Sequence, residues 1–121
     1  MEDLGATLEA ARDAYRRRDW AAARERFHAA RRAGELAAED LDALGDAAWW
    51  LGDFDEATAA LEQAYRRHLE ADRPGPAARA ALGVAVNHLL QGDGVVGSGW
   101  LGRVQRLLRD QPDGPEHGYL L

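Results

Sequence analysis

Leu41-Asp42-Ala43-Leu44-Gly45-Asp46-Ala47-Ala48-Trp49-Trp50-Leu51-Gly52-Asp53-Phe54-Asp55-Glu56-Ala57-Thr58-Ala59-Ala60-Leu61-Glu62-Gln63-Ala64 is the stretch whose reading decides the fold. Leu41, Leu44, Gly45, Ala48 and Leu51 recur at spacings of three and four, which puts them on one face of a helix. Gly52 can then take the left-handed conformation that ends a helix without a Cβ penalty. Phe54, Ala57, Leu61, Ala64 and Leu69 begin a second apolar stripe at helical spacing. Two such stripes joined by so short a connection bury themselves by folding back on each other. The stretch therefore predicts an antiparallel helical hairpin, with Gly45 and Ala57 small where the two backbones come close.

The same text occurs one period earlier. Trp20, Ala23, Phe27 and Ala30 precede Phe54, Ala57, Leu61 and Ala64 by 34 residues each, and Asp19 precedes Asp53 by the same step. A looser third copy follows at an offset of 40, with Gly92-Asp93 for Gly52-Asp53 and Gly97, Leu101 and Val104 for Ala57, Leu61 and Ala64. The larger offset implies about six inserted residues, for which Arg73-Pro74-Gly75-Pro76 is the obvious place. The predicted helices cover about 2–17, 20–33, 37–51, 54–71, 77–91 and 96–110. Leu4, Leu8, Ala11, Ala14 and Tyr15 face inward on the first. Val84, Val86 and Gly83 weaken the fifth, so a strand over 84–89 competes with it, and repeat context decides for helix. The expected fold is all-α: three stacked antiparallel hairpins forming a short right-handed solenoid, with the start of a fourth at 115–121.

At this point the chain resembles the tetratricopeptide family, whose pattern of a Leu-Gly pair followed by Ala, a large apolar residue and Ala stands here as Leu44-Gly45, Ala57, Leu61 and Ala64. The repeats cover about 4–36, 37–72 and 77–111 of a single domain. The wording of Arg18-Asp19-Trp20-Ala21-Ala22-Ala23-Arg24, Trp49-Trp50-Leu51-Gly52-Asp53-Phe54, Gly99-Trp100-Leu101-Gly102-Arg103 and Pro115-Glu116-His117-Gly118 is also similar to the N-terminal helical-repeat segment of LuxR-type transcriptional regulators from high-GC bacteria. In the tetratricopeptide family the first helix of each repeat lines a concave groove. By that register the groove positions are Arg12, Tyr15 and Arg16, then Asp42, Asp46, Trp49 and Trp50, then Arg79, Val86 and Leu89. His88 joins the candidates for its place on the otherwise apolar fifth helix, where a satisfied core histidine is the competing reading. A groove with an aromatic pair flanked by Arg and Asp suits a peptide, a protein or a small-molecule effector. The alternative makes one Trp core and the other a cover for the next repeat.

The totals bound the possibilities. A length of 121 residues, 46 % hydrophobic and 30 % charged, is ordinary for one globular helical domain. All 15 basic residues are Arg, and Ala abounds, which points to a GC-rich genome rather than to a function. The net charge of −6 disfavours a sequence-independent grip on phosphates, so no nucleic-acid contact is expected from this segment. The chain contains no Cys and hence no disulfide, thiolate zinc site or thiol nucleophile. No stretch reads as a membrane span, Met1-Glu2-Asp3-Leu4 does not read as a signal peptide, and the expected compartment is the cytoplasm.

Catalytic signals are sparse. Gly92-Asp93-Gly94-Val95-Val96-Gly97 spells the dinucleotide fingerprint, but that chemistry needs a strand before it and a parallel sheet around it. Ser98 is the only serine and lacks the nucleophile-elbow context. His28, His68, His88 and His117 never fall at metal-ligand spacing. Arg16-Arg17-Arg18 complements the dipole of a helix end, with an anion site as the competing reading. Trp20 and Trp100, at or near the starts of second helices, read as core plugs. The expectation is a non-enzymatic sensor or interaction module without cofactor or metal, the regulatory part of a LuxR-type protein. The alternative is a freestanding scaffold or oligomerisation protein. Leu101, Val104 and Leu108 on the last hairpin are expected to favour self-association, and the chain is expected to be the N-terminal piece of a longer one.

Overall fold

The computed structural model describes residues 3–109. They form α1 (Leu4–Arg16), α2 (Trp20–Ala33), α3 (Ala38–Trp50), α4 (Phe54–Glu70), α5 (Pro74–Leu90) and α6 (Gly94–Arg109), and no strand occurs among the described residues. The start of a fourth hairpin expected at 115–121 lies outside them. Residues 84–89 are helical, so the repeat register decided correctly against a strand.

One turn recurs through the fold. After α1 the Asp19 N–H donates to the Ala14 carbonyl at 2.9 Å and the Arg18 N–H to that of Tyr15 at 2.9 Å. After α3 the same two bonds run from Asp53 to Ala48 and from Gly52 to Trp49, and after α5 from Asp93 to His88 and from Gly92 to Leu89. A fourth copy, from Arg73 to His68 and from Asp72 to Leu69, ends α4. This is the Schellman closure, which satisfies the last carbonyls of a helix by placing one residue in the left-handed region. Those residues are Arg18 (φ 60°), Gly52 (83°), Asp72 (56°) and Gly92 (83°).

The residue that closes one helix also opens the next. The side chains of Asp19, Asp53 and Asp93 accept from the N–H groups of Ala22, Glu56 and Val96, at 3.3, 3.1 and 3.4 Å. Each is an N-cap that satisfies an orphan donor. At the fourth turn Arg73 makes no such bond, and Pro74 takes the first helical position instead, where its missing N–H costs nothing. Arg73-Pro74-Gly75-Pro76 is therefore not an inserted loop. The extra residues of the third copy went into longer helices: α4 and α5 have 17 residues each, against 14 for α2 and 13 for α3.

The contacts divide the chain into two compact units, residues up to Ala60 and residues from Leu61 on. The division falls inside α4, not in a linker. In the first unit α1 and α2 pack as a hairpin, and α3 packs on both of them. Phe27, Leu41 and Leu44 are the largest buried side chains there, set among Ala11, Ala14, Ala23, Ala30, Ala47 and Ala48. Alanine at these positions lets the helix backbones approach closely, and burial of each large side chain contributes about 1.5–3 kcal/mol. α3 has no side-chain cap. Its start is set by buried Leu36 and Leu41 at the two staple positions, with Glu39 and Asp40 in the first turn where the dipole favours them.

In the second unit α5 and α6 form a hairpin around Ala78, Ala81, Val104 and Leu108, flanked by Tyr65, Leu82, Trp100 and Leu107. Gly97 is packed so tightly that a Cβ there would lie 2.8 Å from Leu89 Cγ and 3.2 Å from the Ala85 carbonyl oxygen. Two sequence expectations need correction. Leu51, Phe54 and Leu69 do not belong to the buried stripes: all three are exposed, and His68, four residues after Ala64, is 1 % exposed in the place of Leu69. Val104 and Leu108 are not available for self-association, because they lie in the core of this hairpin.

Candidate functional site

Side chains of α1 and α3 are joined at two levels. Arg12 Nε and Nη2 donate to the two carboxylate oxygens of Asp40, both at 2.8 Å. The Tyr15 hydroxyl donates to Asp46 Oδ2 at 2.7 Å. The pairs advance in the same sense along both helices, so α1 and α3 run parallel, as the first helices of successive hairpins should. On the other side Arg24 spans Glu56 Oε1 (3.0 Å) and Asp53 Oδ2 (2.9 Å) in the first turn of α4. His28 Nε2 lies 3.0 and 3.1 Å from the two Glu56 oxygens and donates to them when it carries the proton.

Beside the Tyr15–Asp46 bond the aromatic residues gather. Trp20 and Trp50 stack nearly parallel, with centroids 5.8 Å apart and planes 7° apart. Tyr15 meets Trp20 edge-on at 5.7 Å, and Trp49 meets Trp50 edge-on at 5.1 Å. Such offset and edge-to-face arrangements are those the ring quadrupole prefers. Trp50 remains 58 % exposed, whereas Trp49 is half-buried between Trp50 and Phe54. An open depression of about 330 Å³ is lined by Tyr15, Arg16, Arg18, Trp20, Asp46 and Trp50.

Electrostatics follow from this packing. The Tyr15 hydroxyl is held well above its ordinary acidity range, first by burial, then by its bond to Asp46 and the charges of Asp46 and Asp42. The Arg12 guanidinium is raised by its bond to Asp40, against a lowering by burial, with smaller contributions from Asp40, Glu9 and Glu39.

Of the eleven candidates for a groove, four line this depression: Tyr15, Arg16, Asp46 and Trp50. Trp49 borders it through Trp50. Arg12 is committed to Asp40, whose carboxylate is buried. Asp42 is half-buried on α3 and makes an interaction of its own within the protein. Arg79, Val86, His88 and Leu89 belong to α5 in the second unit, where Val86 and Leu89 are exposed. There Arg79 is exposed, and His88 Nδ1 lies 3.7 Å from Asp93 Oδ2 while its Nε2 is buried with no hydrogen-bond partner.

Trp20, Arg18 and Asp40 take places other than those the sequence favours, with Arg18 falling nearer the competing anion-site reading of Arg16-Arg17-Arg18 than the dipole-matched helix end. Trp20 is not a core plug: it is half-buried and forms a wall of the depression. Its position directly after a turn, one residue from Asp19, could have signalled that. Arg18 lines the same space from the left-handed position of the turn. Asp40, in the first turn of α3, is the buried partner of Arg12. Trp100 is half-buried, edge-on to Tyr65 at 5.1 Å, with the Arg103 guanidinium 4.2 Å above its ring.

The glycine fingerprint is accounted for by packing: Gly92 closes α5, Gly94 opens α6 and Gly97 meets α5. No group of three or more His, Cys, Asp or Glu able to hold a metal occurs among the described residues, and no helix there is long and apolar enough to cross a membrane. The fold and site define an all-helical protein of hairpins with an aromatic, partly exposed face on its first unit. No protein-family model matches the chain. No curated protein matches it in sequence either.

Proposed function

We propose that this chain is a non-enzymatic interaction module that recognises a partner or effector through the Tyr15–Trp20–Trp50 face. The observation that carries the reading is Trp50: a large aromatic side chain, 58 % exposed, stacked on a second indole at the mouth of a depression with charged walls. Water gains nothing from such a surface, whereas rigid aromatics beside arginine are what binding hot spots are made of. The resemblance to tetratricopeptide repeats and to the N-terminal segment of LuxR-type regulators supports a role as the sensing part of a transcriptional regulator. In that role the nucleic-acid contact would be made by another segment.

A chromosomal Trp50→Ala allele compared with deletion of the gene tests this reading. The expected result is a transcript profile close to that of the deletion, with normal protein level. A profile identical to wild type contradicts the reading.

A further inference from the structure

The depression contains a residue that the backbone does not favour. Arg18 occupies the left-handed position of the first turn, at φ 60°, where the matching turns after α3 and α5 carry Gly52 and Gly92. That conformation pushes the Cβ of an L-residue against its own backbone, and only short polar residues such as the Asp72 of the fourth turn visit it with any frequency. An arginine kept at such a place suggests a use for its side chain. Arg18 lines the depression and makes no ion pair among the described residues.

Arg16, on the same rim, reaches only 3.8 Å from Asp13, whose carboxylate sits closer, at 3.1 Å, to Arg17. The one carboxylate lining the space, Asp46, already accepts the Tyr15 hydroxyl. The walls are thus two under-used guanidinium groups and an open indole face. A guanidinium fork matches a carboxylate in plane, and an indole face matches a flat ring.

Resting on the recognition reading of this face, we propose that the depression binds a planar aromatic ring bearing a carboxylate. The ring stacks on Trp50 and the carboxylate pairs with Arg18 and Arg16. A free aryl acid and a peptide ending in an aromatic residue share this chemistry.

The test is calorimetric or fluorescence titration of the whole chain with indole-3-acetate, indole-3-acetamide and tryptamine. Gly-Gly-Gly-Trp with a free or an amidated C-terminus forms a second arm. Indole-3-acetate is expected to bind at least tenfold more tightly than the amide or the amine. If the natural source is a peptide, the free-acid tetrapeptide binds more tightly still and loses that advantage on amidation; otherwise the small acid leads. Arg18→Gly keeps the turn in a residue suited to it, and should lower acid affinity about tenfold while leaving the amide unchanged. Equal affinity for acid, amide and amine, a preference for tryptamine, an unaltered Arg18→Gly, or no binding of either acid by wild type would overturn the proposal. Loss of all probes in Trp50→Ala without any charge preference in wild type would overturn the anionic class alone and leave the recognition face standing.

Discussion

Removing Arg12 tests what holds α1 to α3. The Asp40 side chain is 5 % exposed and both its oxygens are occupied by Arg12, which is itself 44 % exposed. Arg12→Met keeps much of the aliphatic stem but leaves the carboxylate buried and unpartnered, apart from its favourable place in the first turn of α3. Breaking a fully buried pair from one side costs about 3–5 kcal/mol. Arg12 is open to solvent, so part of its attraction is already screened, and a smaller figure is expected. The expected loss is therefore about 2–3 kcal/mol at pH 7. Arg12→Met/Asp40→Leu, which removes both charges, should recover most of it. Urea denaturation of the wild type, Arg12→Met and the double variant reads both effects. A loss below about 0.5 kcal/mol for Arg12→Met, or a double variant no more stable than the single one, would refute the reasoning.

Two glycines of α6 should respond oppositely to alanine. Gly99→Ala meets no atom within 4 Å and should stabilise by about 0.5–1 kcal/mol, whereas Gly97→Ala pushes a methyl onto Leu89 and the Ala85 carbonyl and should cost about 1–3 kcal/mol; melting curves of the pair decide. The raised pKa of folded Tyr15 means that the folded state holds its proton where the unfolded chain has lost it, so stability falls as pH rises above about 10. Tyr15→Phe should flatten that alkaline decline in denaturation midpoints. Asp53→Ala removes both an N-cap and a partner of Arg24 and should cost about 1–2 kcal/mol by urea denaturation, with an unchanged m-value.

The architecture was legible because its punctuation is chemical. Gly52-Asp53 and Gly92-Asp93 announce a left-handed closure followed by a cap, and the alanines between them mark faces too close for larger side chains. Arg18-Asp19 carries the same turn without glycine, and only the Asp betrays it. Helix ends at Arg73–Pro76 were misread because proline signals either a break or a first helical turn, and the choice depends on whether a closure precedes it. The site was half legible. Register brought Tyr15, Arg16, Asp46 and Trp50 forward, since these are the faces that parallel first helices share. Arg12 and Asp40 could not be told from recognition and solvated residues, because spacing does not say which charged side chains find each other. His68 shows the same limit, a polar residue filling an apolar register position that Leu69 misses by one.

The aromatic-acid reading of the recognition face is tested most directly by fluorine NMR of the chain labelled with 5-fluorotryptophan and titrated with indole-3-acetate. Four indole signals report on Trp20, Trp49, Trp50 and Trp100. Trp50 and Trp20 should shift together and saturably, while Trp100, covered by Arg103 in the second unit, stays in place. A shift confined to Trp100, an equal shift of all four, or none at all would contradict the account.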